Sequence, residues 1–527
     1  MTEIERKFEV PADFKLPELT GGSAELTADE PVTHRLTATY YDTEGFGLAR
    51  HGVTLRYRTG GTDAGWHLKR PAEPGARTEI RAPRPKSGRN RIPTVFDDEL
   101  AALRRGRTLV PVVRMSTRRV ERTVRSADGA PLALIADDRV TVRSPDGMVP
   151  QASWREIEIE LVEGQESAPD ALDALDRLLR EAGARSASAG SKLARALGAA
   201  LPPAPTDGPA WRPVAGYARA QRDAIIALDP AVRRDEPEAV HDFRVAVRRL
   251  RSTLRTFRPL LPTDHSEPIR AELRWLASGL SPVRDLEVIA ERMAGAAAAE
   301  PPELVIGPVG ERMAQRFAGQ REKARESALA SLDSERYFTL LDQLDELLDQ
   351  PPVRRPDEGD VRRLVRTAVR RAERRLASAA EPTPAEATSA EATSAEPATG
   401  GSASGDPVGP HAATGEEAAK DAELHEARKS AKRARYAVEV VAPAAGKPAT
   451  RLVRRLKQVQ DLLGTHQDTV VAREVLRAEA DDAEAAGQSA FTFGLLHGRQ
   501  AAVAANVLTK LPNARKRLRA AVKRWLG

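Results

Sequence analysis

The stretch Trp154-Arg155-Glu156-Ile157-Glu158-Ile159-Glu160-Leu161 admits one regular conformation. Side chains alternate across a β-strand, so Glu156, Glu158 and Glu160 share one face while Ile157, Ile159 and Leu161 share the other. Three acids spaced two residues apart repel one another and ask for cations on their side of the sheet. Oxygen donors without His or Cys suit Mg2+ or Mn2+ better than zinc.

The amino terminus, MTEIERKFEV, makes a related demand. Glu3, Glu5 and Lys7 fall on one side of a strand and Ile4 and Phe8 on the other. Two acids and a lysine are costly to bury unless a cation and an anion join them, as a metal-bound polyphosphate would. From Met1 to about Ala152 the same period-2 alternation recurs, over Thr37–Asp42, Val53–Arg58, Trp66–Arg70, Val112–Val124 and Pro131–Val142. Gly60-Gly61 and Pro145-Asp146-Gly147 are among the turn signals between these runs. The pattern predicts an antiparallel meander. Basic residues occupy its alternating positions: Arg56 and Arg58 on one strand, Lys69 on the next, Arg119 later, followed by the acid Asp138. A one-residue slip reverses the face, so Arg118 stands as the alternative to Arg119 and Asp137 to Asp138.

Taken together, Glu3-x-Glu5-x-Lys7, the LRYR and WHLKRP strands and the closing EIEIE strand resemble the CYTH superfamily, the triphosphate tunnel metalloenzymes, over about residues 1–200. The resemblance implies an eight-stranded antiparallel barrel whose tunnel grips a triphosphate and a divalent metal. It assigns Arg56, Arg58, Lys69, Arg119 and Lys192 to the triphosphate, and Glu3, Glu5, Asp138, Glu156, Glu158 and Glu160 to the metal, Mg2+ or Mn2+. Glu5, Lys7 and Lys69 carry the expected catalytic roles. Phosphoryl hydrolysis needs mainly charge neutralisation and positioning, with a carboxylate not held by metal, or Lys7, as alternatives for assisting the water.

Residues 201–211 form a proline-rich break, and beyond it the apolar period changes to that of helices. The 212–525 region repeats itself. His241-Asp242-Phe243-Arg244-Val245-Ala246-Val247-Arg248-Arg249-Leu250-Arg251 is echoed about 184 residues on by His425-Glu426-Ala427-Arg428-Lys429-Ser430-Ala431-Lys432-Arg433-Ala434-Arg435. Leu280-Ser281-Pro282-Val283-Arg284-Asp285 is echoed by Leu463-Gly464-Thr465-His466-Gln467-Asp468. Two copies of one helical unit is the physical reading. In each copy the histidine and basic residues fall at i, i+3, i+7 and i+10 on one helical face, beside an apolar stripe. Between Arg375 and Lys420 no Lys or Arg occurs, and about residues 378–420 read as a disordered acidic insertion. The helical half resembles the CHAD domain, a pseudo-repeated module associated with inorganic polyphosphate. The resemblance assigns polyphosphate contacts to His241, Arg244, Arg248, Arg251, Arg284, His425, Arg428, Lys432 and Arg435.

The expected architecture is therefore multidomain α+β: an eight-stranded antiparallel β tunnel barrel followed by an all-α pseudo-repeated bundle. The 527-residue chain has no cysteine, which excludes disulfides and thiolate metal sites, and no run of about 18 apolar residues. A cytoplasmic location is expected, with association to polyphosphate granules left open and no membrane partner. The expected function is metal-dependent hydrolysis of inorganic tripolyphosphate or a related triphosphate, coupled to binding of long-chain polyphosphate. The alternatives are a non-catalytic polyphosphate scaffold and a nucleotide cyclase. Nucleic acid is disfavoured as a partner because aromatic residues for base stacking make up only 4% of the chain.

Overall fold

The computed structural model describes residues 2–526 apart from 19–25, 72–75, 84–90, 146, 148, 163–168, 204, 206, 308, 350–356 and 380–414. The expected 378–420 insertion lies mostly outside the described residues. The chain divides into two units, Met1–Ala204 and Pro205–Gly527.

In the first unit, alternation forces strands and the strands close on themselves. They are β1 (Thr2–Val10), β2 (Thr27–Ala28), β3 (Val32–Asp42), β4 (Thr54–Thr59), β5 (Gly65–Pro71), β6 (Ala76–Ala82), β7 (Val110–Arg125), β8 (Pro131–Arg143), β9 (Ala152–Leu161) and β10 (Arg185–Ser186). Among the described residues the order β1-β6-β5-β4-β3-β7-β8-β9 is antiparallel throughout. β1 pairs with β6 through Thr2, Glu3 and Ile4 and with β9 from Glu5 to Val10, which closes an eight-stranded ring. The short β2 and β10 add to β7 and β1.

The register decides which face points inward. Glu5 stands opposite Glu160, Lys7 opposite Glu158 and Glu9 opposite Glu156, while Asp138 faces both Arg119 and Glu156. The other face of β1 and β9 is mainly apolar, with Arg6 at its edge paired to Asp173. Phe8, Ile157, Ile159 and Leu161 pack there against Leu172, Leu175 and Leu179 of helix α3 (Pro169–Glu181), so the isoleucines of the EIEIE strand are sealed outside the barrel. Burying these side chains supplies roughly 1.5–3 kcal/mol each and holds the glutamates on the lumen side.

Along the strands the lumen changes from charged to apolar. Val140 and Val142 continue the Asp138 face of β8, and Val113 and Met115 continue the Arg119 face of β7. These residues cluster with Tyr40 and with Leu193 and Leu197 of helix α4 (Lys192–Leu197). Ser191 caps α4 by accepting the Ala194 N–H at 3.0 Å. Apolar packing and capping of α4 thereby fix its first residue, Lys192, where apolar interior meets charged interior. Two further short helices, α1 (Gly47–Arg50) and α2 (Asp97–Arg104), lie between strands.

The second unit is helical: α5 (Arg212–Arg233), α6 (Ala239–Thr256), α7 (Thr263–Ala298), α8 (Val309–Leu332), α9 (Glu335–Asp349), α10 (Glu358–Ser378), α11 (Gly415–Ala485) and α12 (Phe491–Leu526). α11 is two helices joined at Gly446, whose φ of 64° and ψ of −153° are non-helical and open to glycine. Gly446 lies 184 residues after Pro262, which precedes α7, so the kink falls where the first copy breaks between α6 and α7. Val240, Phe243, Val247, Leu250 and Leu254 are buried, as are Leu424, Ala427, Ala431, Ala434 and Val438 in the second copy. Among the described residues no helix is long and apolar enough to cross a membrane.

Candidate active site and basic helical face

One cavity in the barrel is lined by Glu5, Lys7, Arg56, Arg58, Lys69, Arg119, Glu158, Glu160 and Lys192, nine of the residues singled out from sequence. Alternation alone brings them there from β1, β4, β5, β7 and β9, and capping of α4 adds Lys192. Asp138 and Glu156 sit deeper and are fully or nearly fully buried. Arg119 rather than Arg118 faces the lumen; Arg118 is exposed, and Asp137 pairs with Arg155 (Nη2–Oδ2 2.7 Å) away from Asp138. Glu3 belongs to β1, opposite Arg77, and its side chain lies outside the described residues.

The carboxylates fall into two groups. Ligand oxygens of Asp138, Glu156 and Glu158 lie within 4.8 Å of one another, a hard-donor set that fits Mg2+ or Mn2+. Glu5 and Glu160 line the same tunnel outside that triad. The triad is densely paired. Lys192 Nζ lies 3.0 Å from Asp138 Oδ2, 2.6 Å from Glu156 Oε1 and 2.7 Å from Glu158 Oε1. Arg119 Nη2 donates to Glu158 Oε2 at 2.8 Å, and Lys7 Nζ lies 3.0 Å from both Glu158 Oε1 and Glu5 Oε1. Trp154 Nε1 donates to Glu156 Oε2 at 2.6 Å. Burial alone would raise Asp138 and Glu158, but Lys192 and Arg119, with Lys7 at Glu158, hold both below the usual carboxylate range. The same pairs reverse the effect of burial on Lys192, Arg119 and Lys7 and keep them cationic.

On the opposite wall burial would lower Arg56, but Tyr40 and Glu79 outweigh it and hold Arg56 above its ordinary value, whereas Arg58 is less well matched. Burial, then Arg56 and Arg119, push Arg58 down from its ordinary value, although Asp63 pairs with it. Among the described residues the buried Nε atoms of Arg56 and Arg58 have no hydrogen-bond partner. Buried donors of that kind cost free energy until an acceptor arrives.

Several lumen residues escaped the sequence reading. Arg77, Glu79 and Arg81 lie on β6, whose alternation (ARTEIRA) carries the same period-2 charge signal as its neighbours. Tyr40, Thr54, Asp63 and Ser191 complete the wall. His67 is buried opposite Arg56 and Arg81, with Nδ1 2.9 Å from Glu79 Oε1 and Nε2 2.8 Å from the Asp63 carbonyl oxygen. Nothing local in the sequence joins these three residues.

In the helical unit the two basic faces converge on Arg248. Burial comes first in lowering His241, Arg244, Arg251, Arg428 and Lys432, and the Arg248 charge adds to it in every case. Lys432 is pushed down to about 7. Among the described residues the buried Nε atoms of Arg248, Arg428 and Arg435 have no hydrogen-bond partner. Other members are engaged internally. Arg244 donates to Ser281 Oγ at 2.7 Å and Asp285 Oδ1 at 3.2 Å, and Arg284 pairs with Glu238 at 2.8 Å. Arg435 lies 3.6 Å from Glu439 and stacks over the Tyr436 ring. His425 Nδ1 is 2.8 Å from Gln467 Oε1, at the place where the first copy sets His241 beside Arg284.

A closed antiparallel barrel with a lumen of arginine, lysine and carboxylate defines a tunnel whose walls carry both signs of charge. Residues 1–197 match the CYTH domain and residues 216–477 match the CHAD domain; the chain belongs to the family in which a CYTH domain is followed by a CHAD domain. It is 37% identical over 536 residues to the uncharacterized protein Rv2226 of Mycobacterium tuberculosis (strain H37Rv), covering 99% of this chain and 97% of that one. The solved PptA from Streptomyces chartreusis is 22% identical with a TM-score of 0.42, covering 60% of this chain and 100% of that one. The CHAD domain from the plant Ricinus communis is 20% identical with a TM-score of 0.44, covering 60% and 93%. HpAC1 from Hippeastrum, a protein with a dominant triphosphatase activity, is 18% identical with a TM-score of 0.21, covering 38% and 98%. CYTH domain proteins are triphosphate tunnel metalloenzymes.

Proposed function

We propose that the barrel hydrolyses inorganic tripolyphosphate or a related triphosphate with Mg2+ or Mn2+, and that the helical unit binds long-chain polyphosphate. The observation that carries the reading is the sorting of charge inside one lumen. Arg56 and Arg58, whose buried Nε donors have no partner among the described residues, face a space bordered on its other side by carboxylates, so an anion and a metal cation together would match both walls. Arg forks and the Lys69 ammonium hold non-bridging phosphate oxygens and neutralise charge on the leaving group. Asp138, Glu156 and Glu158 would hold the metal, which supplies charge neutralisation and a positioned water of lowered pKa. Lys7, 3.0 Å from Glu5 and Glu158, orients both carboxylates, and Glu5 lies outside the triad where it can accept a proton from water.

In the helical unit, the convergence of Arg248, Arg428 and Lys432 is unfavourable until an anion with closely spaced charges enters. A chain of phosphates has that spacing.

The test is phosphate release from tripolyphosphate, ATP and thiamine triphosphate with Mg2+, with Mn2+ and with chelator. Metal-dependent release from tripolyphosphate that disappears in Glu5→Ala supports the triphosphatase. Retained polyphosphate binding with no release from any of the three would instead favour the scaffold.

A further inference from the structure

Three carboxylates gathered for a metal are here already served by an ammonium. Lys192 Nζ is within 3.0 Å of an oxygen of each member of the triad, and the Lys192 side chain is only 11% exposed. Its backbone is fixed, because Ser191 caps α4 and Leu193 and Leu197 anchor that helix in the apolar end of the barrel. The side chain is the part that can move. It lines the cavity that also presents Arg56, Arg58 and Lys69, so a short swing carries the ammonium from carboxylate oxygens to the place a triphosphate would occupy.

We propose that Lys192 is the resident counter-ion of the Asp138–Glu156–Glu158 triad, and that a divalent ion and a triphosphate bind cooperatively because each favours its release. The inference rests on the triphosphate reading of the tunnel. Its physical basis is charge. Three carboxylates face four cations, Lys7, Arg119, Lys192 and Arg195, and a divalent ion added to that set would be repelled. Departure of the Lys192 ammonium removes the nearest repulsion and frees Glu156 Oε1, while Asp138 Oδ2 keeps Arg119 and Glu158 Oε1 keeps Lys7. The displaced cation then loses its partners unless an anion waits in the lumen. A triphosphate supplies those oxygens, so the metal favours triphosphate and, by linkage, triphosphate favours the metal by the same factor.

The experiment is Mn2+ titration of the full chain without any phosphate, read as free Mn2+ by electron paramagnetic resonance. Lys192→Met, which keeps the stem and removes the charge, should bind Mn2+ about tenfold or more tighter than the unsubstituted chain. A non-hydrolysable methylene-bridged triphosphate should tighten Mn2+ binding to the unsubstituted chain by a similar factor and to Lys192→Met by much less. Equal or weaker phosphate-free Mn2+ binding by a folded Lys192→Met overturns the proposal. Should that variant fail to fold, crystals of the unsubstituted chain soaked in Mn2+ with and without the methylene-bridged triphosphate decide. Stronger anomalous density among the three carboxylates with the analogue, and Nζ moved away there, supports the proposal; equal density in the two soaks, or density with Nζ unmoved, overturns it. Neither readout needs turnover: a chain that shows the coupling but releases no phosphate refutes the triphosphatase alone, whereas turnover without the coupling refutes only this inference.

Discussion

Arg119 grips Asp138 with both sides of its guanidinium fork, Nε to Oδ1 at 2.8 Å and Nη2 to Oδ2 at 2.7 Å, with the carboxylate wholly buried. The register makes this unavoidable, since the two residues stand opposite each other on β7 and β8. The same Nη2 reaches Glu158 on β9, so one arginine ties three strands. Removing one partner of a buried pair leaves an uncompensated charge and costs roughly 3–5 kcal/mol. Arg119→Ala should therefore lose that much stability in the barrel, read by hydrogen exchange of β7 and β8 amides, and lose turnover as well. Arg119→Lys should lose less stability, because it keeps the charge but not the fork. Unchanged exchange in the alanine variant would remove Arg119 from the structural account.

Acid should weaken the barrel in a defined window. Asp138 and Glu158 are held below their ordinary values in the folded state, whereas in the unfolded chain they titrate near 4. Below that unfolded value the unfolded chain binds more protons, so stability rises with pH there. The contribution of these two groups is present above about pH 4 and is lost as pH falls through the depressed folded values. Thermal unfolding followed by near-ultraviolet circular dichroism from pH 7 to pH 3 should show a plateau down to about pH 5 and then a decline. In Glu158→Gln the decline should be shallower. A decline that begins above pH 6 would point to other groups.

The lumen was legible where it depended on parity. Alternation placed Arg56, Arg58, Lys69, Glu158 and Glu160 on one face without any knowledge of the barrel, because a strand has only two faces. It could not choose between Arg118 and Arg119 or between Asp137 and Asp138, a choice made by cross-strand register. β6 carries the same signal, but ARTEIRA is only seven residues long and offers few positions over which to read a period. The triad's occupation by Lys192 was beyond reach. It depends on a helix that begins more than thirty residues after the last glutamate of β9, seated by apolar packing that no local pattern encodes. In the helical unit the repeat revealed the shared basic face, but not that Glu238, Asp285 and Glu439 already pair with Arg284, Arg244 and Arg435.

Lys432 offers a pH dependence of opposite origin. Burial, then Arg428, Arg248 and Arg435, lower it to about 7, far below an unfolded lysine near 10.4. Between these two values the unfolded chain holds more protons, so stability of the helical unit should rise with pH from about 7 to about 10. A polyanion favours the charged form, so polyphosphate binding near pH 7.5 should take up a proton. Calorimetry in buffers of different ionisation enthalpy measures that uptake. In Lys432→Met uptake should fall markedly and the unit should gain stability; unchanged uptake would assign the proton to another residue, with His241 the next candidate.

Asp285 and Gly464 show how the two copies differ in holding equivalent arginines. Ser281 and Asp285 engage Arg244, so a phosphate must compete with a carboxylate for that guanidinium. The equivalent Arg428 lies against Gly464, where a Cβ would come 3.1 Å from Nη2, and no hydroxyl occupies the place of Ser281. Asp468, the counterpart of Asp285, acts on Arg428 as a nearby charge, but among the described residues no hydrogen bond joins the two. Arg428 is thus the better prepared anion donor, and its charge reversal should cost more polyphosphate affinity than reversal of Arg244. Asp285→Asn should tighten binding by removing the competitor. Gly464→Ser should weaken it a few-fold, because a serine there would draw Arg428 into the arrangement Ser281 imposes on Arg244. Polyphosphate titrations at several salt concentrations check all four variants, and the two charge reversals should also flatten the salt dependence because each deletes a phosphate contact. Equal losses at Arg244 and Arg428, with no gain from Asp285→Asn, would mean that the internal pairs do not compete with the ligand.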